Sequence, residues 1–201
     1  MKNGLYQVLL VVDMQNDFVH ENGSLYVHKG KLSHREINDV VGNVCKLIGN
    51  GDPWDVVIAT LDTHYGNYAD TLEGKMLPVG HCVYETWGHE LHDDIKKALN
   101  ENYHPIEKYT FGNIGFADND VAYALDYQND LKLQNGTRGG ELEIHVCGVC
   151  TSICVLANAV ILRAKYPDAK IVVHSEACAD VSIEAHEAAL KVLKAQQCEV
   201  V

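Results

Sequence analysis

The sequence predicts an α/β fold: a three-layer, doubly wound, mainly parallel sheet with helices on both faces. Three observations carry this reading. Short runs such as Val8–Val12, Val56–Leu61 and Ile144–Gly148 are apolar almost throughout, as strands buried on both faces must be. Segments with helical spacing separate them, the alternation that builds parallel sheets. Polar residues capable of chemistry stand directly after several of the runs, at the strand ends where such sheets hold ligands.

The elements follow in order. Val8–Val12 is the first strand and ends in Asp13. Residues 34–48 place Ile37, Val40, Val41, Val44, Leu47 and Ile48 on one helical face, and Gly49 and Gly51 mark its stop. Val56–Leu61 is a second strand. Leu91 to Leu99 reads as a short amphipathic helix and Ile106–Lys108 as a short strand. Val121–Tyr127 has helical character, and 128–140 is a polar, glycine-containing loop. Ile144–Gly148 is a strand, Ser152–Lys165 a helix, Ile171–His174 a strand and Ile183–Gln196 a helix. With 201 residues, and neither repeat nor linker, the chain is expected to be one domain over 1–201.

Composition limits the function classes. A hydrophobic fraction of 47% and a charged fraction of 22% are those of a globular protein. The formal net charge of −12, with no basic stripe, argues against nucleic acid as a partner. The apolar run near the N-terminus is too short for a signal-peptide core or a membrane span. A cytoplasmic location, with the seven cysteines reduced, is the expectation.

Four places could carry chemistry, and each has an ordinary alternative. A carboxylate just after a buried strand needs a partner or a task, so Asp13 is either a turn-capping residue or a base at the sheet edge. Cys154 follows a strand and turn, in the first turn of the next helix, where the helix dipole would favour a thiolate and free N–H groups would favour an oxyanion. Buried free cysteines are otherwise packing residues, and Cys147, Cys150 and Cys154 lack the spacing of a closed zinc site. Asp62 and His64, two apart at a strand end and followed by Glu73 and His81, could hold Zn, Fe or Mn, or could be unrelated polar residues in a chain with eleven histidines. Lys108 alone would be a surface charge.

Taken together and in this order, the segments resemble the isochorismatase-like cysteine hydrolase superfamily, and within it the nicotinamidase/pyrazinamidase branch. The matching pieces are Asp13 with Gln15, Asp17 and Phe18; Asp62-x-His64; Pro78-Val-Gly-His81-Cys82; Lys108 before Thr110-Phe111; and Gly148-Val-x-Thr-x-x-Cys154-Val. The resemblance implies a catalytic set of Asp13, Lys108 and Cys154, an oxyanion hole from the backbone N–H groups of Cys150 and Cys154, and a cis peptide at Val149–Cys150. It implies one divalent metal ion, zinc first and iron or manganese as alternatives, held by Asp62, His64, Glu73 and His81. Phe18 would pack on the substrate ring. The implied reaction converts nicotinamide to nicotinate and ammonia through a thioester, in a homo-oligomer. The alternative is a metal-free cysteine hydrolase of the same fold, acting on another small amide, ureido or carbamoyl substrate. Three positions depart from the branch pattern: Ser152 stands where an acidic residue is usual, Met76 and Leu77 stand where an aromatic is common, and one extra residue separates Pro78 from His81.

Overall fold

The computed structural model describes residues 5–27, 37–49, 54–100, 103–114 and 141–201. The expected helix over 121–127 and loop over 128–140 lie outside the described residues.

Strands β1 (Leu5–Val12), β2 (Val56–Asp62), β3 (His104–Lys108), β4 (Glu141–Val149), β5 (Lys170–Ala179) and β6 (Glu199–Val200) form one sheet in the order β3-β2-β1-β4-β5-β6. Every neighbouring pair is parallel. Two layers of helix cover it. Val8, Leu10 and Val12 point to one face, where they pack with Ala159 and Leu162 of α5 (Leu156–Lys165) and Leu193 of α6 (Ile183–Ala195). Leu9 and Val11 point to the other, against Val40 and Val44 of α2 (Ile37–Gly49) and Ile95 and Leu99 of α4 (Asp93–Leu99). This period-two division explains why β1 is apolar at every position from Val8 to Val12.

Local chemistry fixes the helix ends. Ser182 caps α6 by accepting a hydrogen bond from Ala185 N at 3.0 Å. The helix expected from Leu91 begins at Asp93, because the His92 side chain accepts from Asp94 N and takes the capping position. Two one-turn helices, α1 (Asn16–Val19) and α3 (Leu72–Met76), are too short to show a periodicity. β5 runs on past His174 to Ala179 through an irregularity in its pairing with β4. No helix among the described residues is long and apolar enough to cross a membrane.

The chain winds outward in both directions from the β1/β4 pair, so the crevice of this sheet lies beyond their carboxyl ends. Gly148 permits the close approach there. Its φ is +119°, and a Cβ would lie 2.1 Å from Val12 O.

Candidate active site and metal centre

β1, β2, β3 and β4 each deliver one residue or turn to this crevice. Asp13 follows β1 with φ +52°, in the left-handed region that costs a non-glycine residue energy and is common at functional sites. Asp62 ends β2 and Lys108 ends β3, and the two are direct register partners. After β4 come the cis Val149–Cys150 peptide and a π-helical turn, Thr151–Val155, which holds Cys154.

These side chains meet. Lys108 Nζ lies 2.8 Å from Asp13 Oδ2, 3.0 Å from Asp62 Oδ1 and 3.6 Å from Cys154 Sγ. Lys108 is 2% exposed and Asp13 0%. Thr60 Oγ1 donates to Asp13 Oδ1 at 2.6 Å and accepts from Asp13 N at 3.2 Å. Burial would lower the Lys108 pKa, but the neighbouring Asp13 and Asp62 carboxylates more than offset it, so the ammonium is retained. Burial raises the Asp13 carboxyl, with Lys108 and Thr60 opposing, so Asp13 holds a proton more readily than an exposed aspartate.

The thiol departs from expectation. Cys154 sits in the wide turn that precedes α5, not in the first turn of a regular helix. Burial pushes its thiol well up and Asp13 adds to this, against the pull of Lys108. The resting group is therefore a thiol. Asp180 fixes the start of this turn, since its carboxylate accepts from Ser152 N and from Ser152 Oγ. Where the branch pattern has an acidic residue, Ser152 carries this link to an acid 28 residues away.

A second cluster adjoins the first. Asp62, His64, Glu73 and His81 each offer one ligand atom, and these atoms all lie within 4.8 Å of one another. His64 Nε2 is 3.0 Å from Asp62 Oδ2 and 3.7 Å from Glu73 Oε1; His81 Nε2 is 3.4 Å and 3.5 Å from the same atoms. Tetrahedral zinc with bonds of about 2.0–2.1 Å separates its donor atoms by roughly 3.4 Å, so the spacing fits one such ion. The His81 tautomer fits too. Its Nδ1 faces Val79 O at 2.9 Å, and a carbonyl only accepts, so Nδ1 carries a proton and Nε2 is the ring atom turned to the cluster.

The carboxylates and imidazoles of this cluster shift one another. Burial alone would raise Asp62, but hydrogen bonds from His64 and His81 and the charge of Lys108 hold its carboxyl below the usual range. Burial would lower His81, but Asp62, Glu73 and Val79 O push it up to about 9.

Folding brings the four residues together by local devices. Thr71 caps α3 through Gly74 N at 2.9 Å, which places Glu73 in the first turn. His64 pairs with the returning chain, donating from its N–H to Cys82 O, while Tyr84 N donates to His64 O. The longer Pro78–His81 segment is absorbed by Val79 N donating to Leu77 O, and Tyr68 OH also donates to Leu77 O. The Tyr68 ring packs edge-on against His64 and His81, at 4.6 and 5.2 Å between centroids.

A cavity of about 180 Å³ joins the two clusters. Cys150, Ile153 and Cys154 line it, with Asp62, Glu73 and His81, and its apolar walls include Phe18, Leu77 and Phe111. Phe18 lies 5.6 Å from the His81 ring. A wider groove of about 600 Å³, which Leu72, Met76 and Tyr109 also line, shares Glu73, Leu77 and Phe111 with it. The cavity suits one small ring with a carboxamide, being below the roughly 300–1,000 Å³ of drug-sized sites. Sequence reasoning assigned no role to Thr60, Phe111 or Asp180. Thr60 had a signal only in hindsight, since its register partner Val12 precedes Asp13.

The chain resembles proteins of known structure and name along nearly its whole length. It is 29% identical to a nicotinamidase of Schizosaccharomyces pombe, over 98% of this chain and 93% of that one. A nicotinamidase structure from Bacillus subtilis superposes with a TM-score of 0.75 at 26% identity, covering 98% of this chain and 99% of that one. A pyrazinamidase of Pyrococcus horikoshii in complex with zinc superposes with a TM-score of 0.68, also at 26% identity, covering 97% and 98%. The family model of the isochorismatase domain matches residues 7–201, and the chain belongs to that family.

Proposed function

We propose that the protein is a metal-dependent nicotinamidase, a cysteine amidohydrolase that converts nicotinamide to nicotinate and ammonia. One observation carries this: a single small cavity has the Cys154 thiol on its wall together with Asp62, Glu73 and His81. Nicotinamide has the two matching ends, a carboxamide for the thiol and a pyridine nitrogen for a metal. The nicotinamidase relatives and the zinc-bound neighbour support the same reading.

Asp13 is the base. It takes the thiol proton as Cys154 Sγ attacks the carboxamide carbon, and Lys108 balances the charge of both. The backbone N–H groups of Cys150 and Cys154 serve the developing oxyanion. Asp13 then returns the proton to the leaving nitrogen, and ammonia departs from a Cys154 thioester. The same carboxylate next removes a proton from water, which attacks the thioester and frees the acid. Phe18, with Leu77 and Phe111, holds the ring. Asp62, His64, Glu73 and His81 would hold one divalent ion, which when bound fixes the pyridine nitrogen and so orients the ring. Carboxylate and imidazole donors suit zinc, iron or manganese, and the zinc-bound neighbour supports zinc first.

The family resemblance extends the proposal to one domain over 1–201, a cytoplasmic homo-oligomer and a place in NAD metabolism. The test is ammonia and nicotinate formation from nicotinamide by the purified protein, before and after chelation and with zinc added back. Activity lost to the chelator and regained with zinc is expected. A reduced, zinc-loaded sample that leaves nicotinamide intact would overturn the assignment.

A further inference from the structure

The segment after β1 supplies more than Asp13. Gln15 is fully buried, and its amide spends each of its polar atoms on backbone. Oε1 accepts from Asp62 N at 2.7 Å, while Nε2 donates to Asp62 O at 2.9 Å and to His89 O at 2.8 Å. The last register pair of β1 with β2 is Val12 with Thr60. Beyond it β1 has left the sheet, and the Gln15 side chain pairs with both peptide groups of Asp62 as a strand residue would.

Asp17 does the same for the opposite limb. Its Oδ2 accepts from Cys82 N at 2.7 Å and its Oδ1 from Ser24 N at 2.9 Å. Cys82 follows His81 directly, with φ +43°, and its carbonyl accepts the His64 N–H. The Asp17 carboxylate lies against Gly88, where a Cβ would be 2.1 Å from Oδ2, so this reach depends on a bare backbone there. Asp62, His64 and His81 are thus tied by two side chains that donate no atom to the ligand group.

We propose that Gln15 and Asp17 are positioning residues that set the affinity of the Asp62, His64, Glu73 and His81 group for a divalent ion. This rests on the reading above that the group holds a metal. Ligand atoms already within 4.8 Å of one another, with each histidine 3.0–3.7 Å from both carboxylates, need little reordering to bind an ion. A freed Asp62 or Cys82 backbone must be ordered at the moment of binding, and that cost appears as weaker affinity.

The experiment measures Zn²⁺ affinity by chelator competition, and the visible absorption of the Co²⁺ form, for wild type and two variants. Gln15→Met keeps the length of the side chain and loses all three hydrogen bonds. It should weaken Zn²⁺ binding by about 10–100-fold and alter the Co²⁺ spectrum. Asp17→Asn keeps one acceptor and should show a smaller loss in the same direction. A merely structural role would lower the melting temperature of metal-free and metal-loaded protein alike and leave affinity unmoved. Folded Gln15→Met and Asp17→Asn proteins that both bind Zn²⁺ within twofold of wild type would overturn the proposal alone. Wild type that binds neither ion would overturn the metal reading and this inference with it. If Gln15→Met does not fold, Gln15→Glu takes its place. It keeps the acceptor for Asp62 N but sets an oxygen against two carbonyls, and the same weakening is expected.

Discussion

Lys108→Met is the perturbation whose size the structure fixes best. The ammonium lies 2.8 Å from Asp13 Oδ2 and 3.0 Å from Asp62 Oδ1, and none of the three residues is more than 2% exposed. Methionine fills the volume but leaves two carboxylates without their shared cation. Removing one partner of a buried pair costs about 3–5 kcal/mol. For a chain of this length that is a fall of roughly 6–20 °C in melting temperature. The pH dependence has a definite sign. Burial already raises Asp13, and the largest opposing effect is Lys108, so its loss raises the carboxyl further above its unfolded value. The folded state then binds the extra proton, and stability falls as pH rises through the new value. The deficit of Lys108→Met against wild type should therefore narrow as pH is lowered from 8 toward about 5. Adding Asp13→Asn to Lys108→Met should recover part of the lost stability, because it removes an uncompensated charge. Thermal unfolding followed by circular dichroism across pH reads all three effects, and turnover should drop by at least about 100-fold as the base is neutralised. A Lys108→Met protein with wild-type melting temperature and activity within tenfold at pH 7.5 would refute the assigned charge balance.

Other substitutions probe separate parts of the site. Cys154→Ala should abolish ammonia release while far-ultraviolet circular dichroism and melting stay near wild type; residual hydrolysis would place the nucleophile elsewhere. With its thiol pushed up by burial and Asp13, Cys154 should react slowly with iodoacetamide at pH 7 in the free protein, and peptide mapping that finds it the fastest of the seven cysteines would contradict a resting thiol. Thr60→Val removes the 2.6 Å hydrogen bond to Asp13 and should cost about 1.5–3 kcal/mol in denaturant unfolding, with slower turnover. Gly148→Ala would force a Cβ against Val12 O at positive φ and should destabilise by about 3 kcal/mol or more; a neutral effect on the urea midpoint would contradict the close approach of β1 and β4.

Much of the fold was legible because the sheet is buried on both faces. Val8–Val12 is apolar throughout, Ile144–Gly148 has His145 as its one polar side chain, and α2 and α6 are long enough to show their spacing. β6 is only Glu199–Val200, with no pattern to read. α3 was invisible for another reason: Leu72 and Met76 are exposed, so its apolar residues do not mark a core face. The order of the site segments was legible through the family resemblance, whereas their meeting depends on register, such as Asp62 opposite Lys108. Gln15 shows the limit most clearly. Its partner Asp62 is 47 residues away and is held through backbone atoms, which no side-chain pattern records. For Cys154, position on a helix suggests a dipole that favours the thiolate, while burial and Asp13, visible only in three dimensions, push the thiol the other way.

On the proposed reading, thiol and metal group face one substrate from the walls of one cavity. The most direct measurement is a crystal structure of Cys154→Ala loaded with zinc and soaked in nicotinamide. The pyridine nitrogen should turn toward Asp62, Glu73 and His81, with the carboxamide carbon beside residue 154 and Phe18 against the ring. Nicotinamide bound with its carboxamide on the metal side, or outside this cavity, would contradict it.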